Sequence, residues 1–348
     1  QYYRLADDAK DWVFKDETGI PSQPTYNGLK KIIPNLVWDK TLPFPLNHTW
    51  GYHDAATGNG KYDKYYETMV ERYGAPTSMV DFSDKMQLMN ATGYQGIFES
   101  AGHKLNEIGG VMLWKINAAF PSVIWQIYDW YLEPNAGYYF EQNACEPVHV
   151  QLNSLDYNVT VINRTYHANS NLTVMADVFG IDSKLIYHQE EKINLSATDV
   201  KEPFSLSKVL ADAKGVNFVV LNLKDAAGKV ISHNTYWLEV DNNLKALNTM
   251  PKTQVQTTVL KSEQLKTETK WTVKLTNSSK LLAFFIHPQL MNDGEEILPS
   301  FWSANYFSLA PGESITLTVS VPTNKLKNTN LEILTEGWNV EKQSVRLP

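Results

Sequence analysis

The stretch Asp11-Trp12-Val13-Phe14-Lys15-Asp16-Glu17-Thr18-Gly19 runs from an apolar triplet through two carboxylates to a glycine. Trp12-Val13-Phe14 is a short continuous apolar run, and Val111-Met112-Leu113-Trp114 is a second. Such runs predict parallel strands covered on both faces, since side chains pointing either way must then be buried. A strand that ends this way sets Glu17 at its C-terminal lip, where barrel enzymes carry catalytic side chains. The alternative is a salt-bridged or solvated carboxylate.

Between the two runs the spacing is helical. Tyr62, Tyr65, Tyr66, Met69, Val70 and Tyr73 fall at i, i+3, i+4, i+7, i+8 and i+11, and Met86, Met89, Gly93 and Ile97 mark a second helix beyond Gly74 and Pro76. After the second strand, 122–131 and 135–144 predict a short and a longer helix broken at Pro134.

From about Val148 the period becomes two. Tyr157, Val159 and Val161 alternate with polar neighbours, as do Leu172, Val174, Ala176 and Val178. Beyond 242–252 a second set follows: Trp271, Val273 and Leu275, then Ile315, Leu317, Val319 and Val321, the last opened by a Pro311-Gly312 turn. Two blocks of about 100 residues with short alternating strands predict tandem immunoglobulin-like β-sandwiches.

Composition bounds the function. With 31 Lys and Arg against 38 Asp and Glu the formal charge is −7, the wrong sign for a protein that neutralises phosphates, so no nucleic acid is expected as partner. The most apolar stretch, Val111 to Trp130, is interrupted by Lys115, Asn117, Gln126 and Asp129, so no membrane span is expected. The N-terminal Gln1-Tyr2-Tyr3-Arg4 has neither an initiator Met nor a signal pattern and reads as the interior of a longer protein. Residues 1–150 hold 25 of the 41 aromatics, the flat faces that stack on sugar rings or pack a core.

HExxH, GxSxG and P-loop motifs are absent, and Gly58-Asn59-Gly60 lacks the rest of a dinucleotide fingerprint, so no cofactor is expected. The single Cys145 reads as a buried free thiol. Seven Asn-x-Ser/Thr triplets, at Asn47, Asn90, Asn158, Asn163, Asn171, Asn194 and Asn277, read as chance recurrence of frequent residues.

The segment Gly109-Gly110-Val111-Met112-Leu113-Trp114-Lys115-Ile116-Asn117, followed by Pro121-Ser122, Trp125, Tyr128-Asp129 and the exit Ala144-Cys145-Glu146-Pro147, resembles the last barrel strand and helix of glycoside hydrolase family 2. The likeness is to its exo-β-D-glucosaminidase and β-mannosidase-type branch. Arg72-Tyr73-Gly74-Ala75-Pro76, the helix from Asp81 to Glu99 and Tyr236-Trp237-Leu238 resemble it too. The resemblance implies the C-terminal part of a (β/α)8 TIM barrel followed by two immunoglobulin-like β-sandwich domains, over residues 1–147, 148–245 and 252–348. Only strands seven and eight would lie in this chain, with the other six in an upstream part of the same polypeptide.

Under that resemblance Phe14-Lys15-Asp16-Glu17 is the strand-seven motif and Glu17 the nucleophile of a retaining, exo-acting β-glycosidase. Its acid/base would stand upstream, so this chain alone would be inactive. Asp16 departs from the family, which usually has Ser there. Trp114 would floor the terminal sugar subsite, or be plain core. Tyr52, His53 and Asp54 resemble a Tyr-His loop of the same branch, and with Asp16 and Asn117 they are the remaining candidates for sugar contacts. A metal at His48 and His53 is the rival, weakened because no third ligand has a clear spacing. The expected substrate is a chitosan oligosaccharide, with a β-mannoside as alternative, and the expected location is periplasmic or extracellular. From another class, the sandwiches could be carbohydrate-binding or structural modules, with Trp237, Trp302 and Trp338 as candidate binding aromatics.

Overall fold

The computed structural model describes residues 13–33, 48–53, 61–239, 241–326 and 330–348. Contacts divide the chain into two compact units, Gln1–Trp130 with Pro134–Asn248, and Tyr131–Glu133 with Thr249–Pro348.

In the first unit β1 (Phe14–Thr18) pairs in parallel with β2 (Gly110–Leu113), Phe14 opposite Gly110 and Thr18 opposite Leu113. Between them lie α1 (Tyr26–Ile32), α2 (His48–His53), α3 (Lys61–Tyr73) and α4 (Met79–His103). The predicted helical periods become α3 and α4. Gly74 leaves α3 at φ +86°, and Ser78 caps α4 by accepting from the Asp81 N–H at 3.1 Å. Val111 and Leu113 pack on Ile20, Tyr94, Ile97 and Ile127, the apolar seam between the strand pair and α4. Gly93 permits this contact, because a Cβ there would lie 2.4 Å from Ile20 Cδ1.

Four expectations change here. The strands are covered on one face only: Phe14 and Met112 are each 54% exposed, with no further layer against them among the described residues. Among the described residues only this pair forms a parallel ladder of strands, and no barrel is evident there. The short helix at 122–131 is absent. Trp125 sits at φ +81° and its carbonyl accepts from the Lys115 N–H, so long-range backbone bonds replace helical ones. After this loop comes α5 (Ala136–Ala144), whose C-terminal cap is Cys145, exposed at the helix end and not buried.

The first sandwich sets a three-stranded sheet, β3 (Val148–Leu152), β4 (Asn158–Asn163) and β7 (Asp199–Ser205), against β6 (Leu185–Leu195), β5 (Asn169–Gly180), β8 (Asn217–Lys224) and β9 (Val230–Leu238). Val159, Val161, Leu172, Val174, Ala176 and Val178 face the core between the sheets, as their alternation predicts. In the second unit one sheet runs β10 (Gln256–Gln264), β11 (Glu268–Thr276), β14 (Ser314–Pro322), β13 (Phe301–Trp302), and the other is centred on β12 (Ala283–Asn292) and β15 (Leu331–Gly337). Trp271, Val273 and Leu275 are buried there as predicted.

Two of the Asn-x-Ser/Thr triplets have a structural cause. Asn163 Oδ1 accepts from the Thr165 N–H at 3.0 Å and hydroxyl at 2.7 Å, while its Nδ2 donates to the carbonyls of His167 and Ser196, both at 2.7 Å. Asn277 repeats the device: Oδ1 accepts from the Ser279 N–H and hydroxyl, and Nδ2 donates to the carbonyls of Leu281, Leu309 and Ala310. Both side chains are fully buried corner pieces that satisfy carbonyls at strand ends, so these triplets are turn chemistry and not chance.

A buried polar seam joins α4 to the first sandwich. Glu99 Oε1 accepts from Tyr236 Oη and Asn234 Nδ2 at 2.7 Å each and from Gln95 Nε2 at 3.1 Å. His149 Nε2 lies 3.4 Å from the same oxygen and its Nδ1 lies 3.0 Å from Glu146 Oε2, which also accepts from the Ser232 hydroxyl. Burial alone would pull the His149 imidazole down, but the bonds to Glu146 and Glu99 outweigh it and hold it above its ordinary range. No helix among the described residues is long and apolar enough to cross a membrane.

Candidate active site

The C-terminal ends of β1 and β2 are locked side by side. Gly109 N–H donates to the Val13 carbonyl at 2.6 Å at the start of the pair, and Trp114 N–H donates to the Thr18 carbonyl at 2.8 Å at its end. Gly19 then passes so close to Trp114 that a Cβ would fall 2.1 Å from the Trp114 carbonyl oxygen. Glycine is required there by space. Glu17 and Trp114 therefore emerge at adjacent strand lips, and both are exposed, Trp114 to 50%. The Trp114–Lys115 peptide is cis.

Asp16 turns back on the backbone, its Oδ1 accepting from the Glu17 N–H at 3.0 Å. His53 joins from α2: its Nδ1 donates to the Pro121 carbonyl at 2.7 Å, and its own carbonyl accepts from Val123 N–H at 2.9 Å. Those two bonds fasten the 48–53 helix to the chain that leaves Trp114. Exposed Tyr52 meets the His53 ring edge-on, with centroids 5.0 Å apart. Asn117 is exposed on the same post-strand segment, bridged to Tyr128 and donating from Nδ2 to the Ala118 carbonyl at 3.3 Å. Partial burial pulls the Lys115 ammonium below its ordinary range. Asp54 lies outside the described residues. Among the described residues no three His, Cys, Asp or Glu side chains group to hold a metal ion.

Glu17 and Trp114 thus present an exposed carboxylate and an exposed indole at adjacent strand lips, and Tyr52 and Asn117 are exposed polar side chains on the 48–53 helix and on the segment that follows Trp114. What sequence reading missed is the support beneath them. Ser22 Oγ donates to the Gln126 carbonyl at 2.9 Å and lies 3.0 Å from Tyr94 Oη, and Gln87 Nε2 donates to the carbonyls of Gln23 and Pro24 at 3.2 and 3.0 Å. The available signal was weak: Gln87 and Asn90 are polar residues three apart in an otherwise apolar helix stretch.

Comparison with known proteins bears on this geometry. Residues 156–240 match the mannosidase Ig/CBM-like domain and residues 234–340 the exo-β-D-glucosaminidase Ig-fold domain. The exo-β-D-glucosaminidase of Arthroderma benhamiae is 31% identical over 81% of this chain and 34% of its own length. That of Amycolatopsis orientalis is 27% identical over 96% of this chain and 35% of its own. The crystal structure of the Amycolatopsis orientalis exo-chitosanase superposes with a TM-score of 0.85 at 26% identity, over 96% of this chain and 42% of that one.

The chain carries the Ig-fold domains of the exo-β-D-glucosaminidase and mannosidase family, and over nearly its whole length it is similar to the C-terminal part of these glycoside hydrolases. It spans about a third of the length of these curated relatives and corresponds to their C-terminal part. The two sandwiches are thus the family's immunoglobulin-like domains. Trp237 and Trp302, candidate binding aromatics by sequence, are 3% and 5% exposed; Trp237 donates from Nε1 to Tyr73 Oη at 3.0 Å and meets the Phe140 ring edge-on, so it is buried against α3 and α5.

Proposed function

We propose that the chain is the C-terminal part of a retaining exo-β-D-glucosaminidase that releases glucosamine from chitosan oligosaccharides, working in a periplasmic or extracellular setting. In this reading residues 1–147 end a (β/α)8 barrel, with β1 and β2 as its strands seven and eight, and the sandwiches occupy 148–245 and 252–348. The observation that carries it is the parallel pair whose lips set Glu17 beside Trp114, joined through the Thr18 carbonyl and Trp114 N–H at 2.8 Å. The half-exposed apolar face of Phe14, Met112 and Trp114 is the surface on which an upstream part of the same polypeptide would complete the barrel.

The Glu17 carboxylate attacks the anomeric carbon of the terminal sugar, while an upstream carboxyl about 5–5.5 Å away protonates the departing glycosidic oxygen. The covalent glycosyl-enzyme is then hydrolysed by water that gives its proton to the upstream group. Trp114 floors the sugar, Tyr52, His53 and Asn117 form the polar rim, and Asp16 offers a carboxylate to the ammonium at C2.

Assay of the full-length enzyme on chitosan oligomers and on β-mannosides tests the reading. Release of glucosamine is expected, and cleavage of the β-mannoside alone would replace it with a mannosidase. Burial of Trp237 and Trp302 supports a spacer role for the sandwiches over sugar binding.

A further inference from the structure

Asn90 opens one of the Asn-x-Ser/Thr triplets, yet it is fully buried on α4, and its third partner Thr92 bonds back to the Leu88 carbonyl at 3.1 Å. Its side chain grips one residue of the loop after β1 from both sides. The Gln23 N–H donates to Asn90 Oδ1 at 3.1 Å, and Asn90 Nδ2 donates to the Gln23 carbonyl at 2.8 Å. This pair of bonds satisfies both backbone polar groups of Gln23 with one side-chain amide, and Gln87 and Asn135 add donors to the same carbonyl.

The loop between Glu17 and Gln23 has little freedom left. Gly19 is seated on the Trp114 carbonyl, Ile20 fills the notch over Gly93, and Ser22 is bonded to the Gln126 carbonyl. At one end the ladder bond from Trp114 holds Thr18; at the other, Asn90 holds Gln23. Slack at Gln23 would pass along five residues to the carboxylate, and a displacement of about 1 Å at a reacting group costs on the order of 10²-fold in rate.

We propose that Asn90 is a positioning residue for the nucleophile: by holding both polar groups of Gln23 it fixes the loop that sets Glu17 against Trp114. The proposal rests on the reading of Glu17 as nucleophile.

Its test is kinetic, in the full-length enzyme with PNP-β-D-glucosamine. Asn90→Ala should lower kcat about 10-fold or more with KM within about 2-fold of wild type, because substrate binding surfaces are untouched. Asn90→Asp should behave like it at high pH. Below the pKa of the buried carboxyl the neutral acid regains a donor for the Gln23 carbonyl, so its kcat relative to wild type should rise as pH falls. Asn163→Ala, which removes a buried amide of similar structural weight in the sandwich, should lower the melting temperature and leave kcat unchanged. Wild-type kcat in folded Asn90→Ala overturns the proposal; if that variant does not fold, an Asn90→Asp enzyme with a wild-type pH profile overturns it. Glu17→Gln separates the two levels. Full activity in that variant removes the nucleophile reading and this proposal with it, whereas an inactive Glu17→Gln beside fully active Asn90 variants removes the proposal alone.

Discussion

Trp114 gives its backbone N–H to the Thr18 carbonyl at 2.8 Å, so the residue directly after Glu17 is tied to the residue that closes the neighbouring strand. The proposed nucleophile and the proposed sugar platform thus flank one rung. In the full-length enzyme Glu17→Gln should lower kcat more than about 10³-fold, because no covalent intermediate can form. Trp114→Ala should lower kcat/KM on the order of 10²-fold by removing a large stacking surface. Steady-state kinetics on an aryl glucosaminide measures both, and near-normal turnover by Glu17→Gln would assign the nucleophile elsewhere.

Residues 1–348 expressed alone should show no glycosidase activity. One carboxylate lacks the partner that protonates the leaving oxygen, a contribution of about 10²–10⁴-fold, and most of the sugar pocket would be missing as well. Turnover of an aryl glycoside by the isolated chain, lost in Glu17→Ala, would contradict this.

Self-association is expected of the same isolated chain. Val13, Phe14, Met112, Trp114 and Ile116 are all at least half exposed on or beside a two-stranded sheet with open edges. Size-exclusion chromatography with light scattering should find dimers or aggregates, and a 39.5 kDa monomer with a cooperative melt would refute the expectation.

Protonation should favour the folded first unit. His149, in contact with Glu99 and Glu146, is held above its ordinary 6.5, so its contribution is complete below that value and is lost as pH rises through the folded value. Burial pushes Glu141 from 4.5 up to about 7, which has the same sign: the folded chain holds this proton more tightly, and stability falls as pH climbs between those values. Melting temperatures of wild type, Glu141→Gln and His149→Gln from pH 4 to 9 test the assignment. Glu141→Gln should remove the loss between about 4.5 and 7 and His149→Gln the loss above about 6.5; profiles parallel to wild type would refute it.

Asn163→Ala and Asn277→Ala should each cost about 2 kcal/mol, since each strands buried strand-end carbonyls without a donor. Chemical denaturation of the two units should show each loss confined to the unit that carries the change.

Local periodicity carried much of the fold into view. The spacing of Tyr65, Met69 and Tyr73 and the alternation of Leu172, Val174 and Ala176 are set by which side faces a core, and they read correctly. The 122–131 segment did not, because Trp125 takes its left-handed conformation from bonds to Lys115, ten residues away. In the site, Glu17 and Trp114 could be picked out through a family resemblance, whereas the hold of Asn90 on Gln23 spans 67 positions and no local pattern announces it. Phe14 and Met112 look like core in sequence, yet no layer covers them among the described residues.

The Glu99 seam also bears on how such enzymes are recombined. A crossover placed at residue 147, where the first sandwich begins, parts Glu99 from His149, Asn234 and Tyr236 and leaves a carboxylate sealed among strangers. A chimera that borrows this sandwich should therefore inherit α4 with it, or exchange the whole polar set at once; the unit of inheritance is the pair, and neither half is a free-standing cassette.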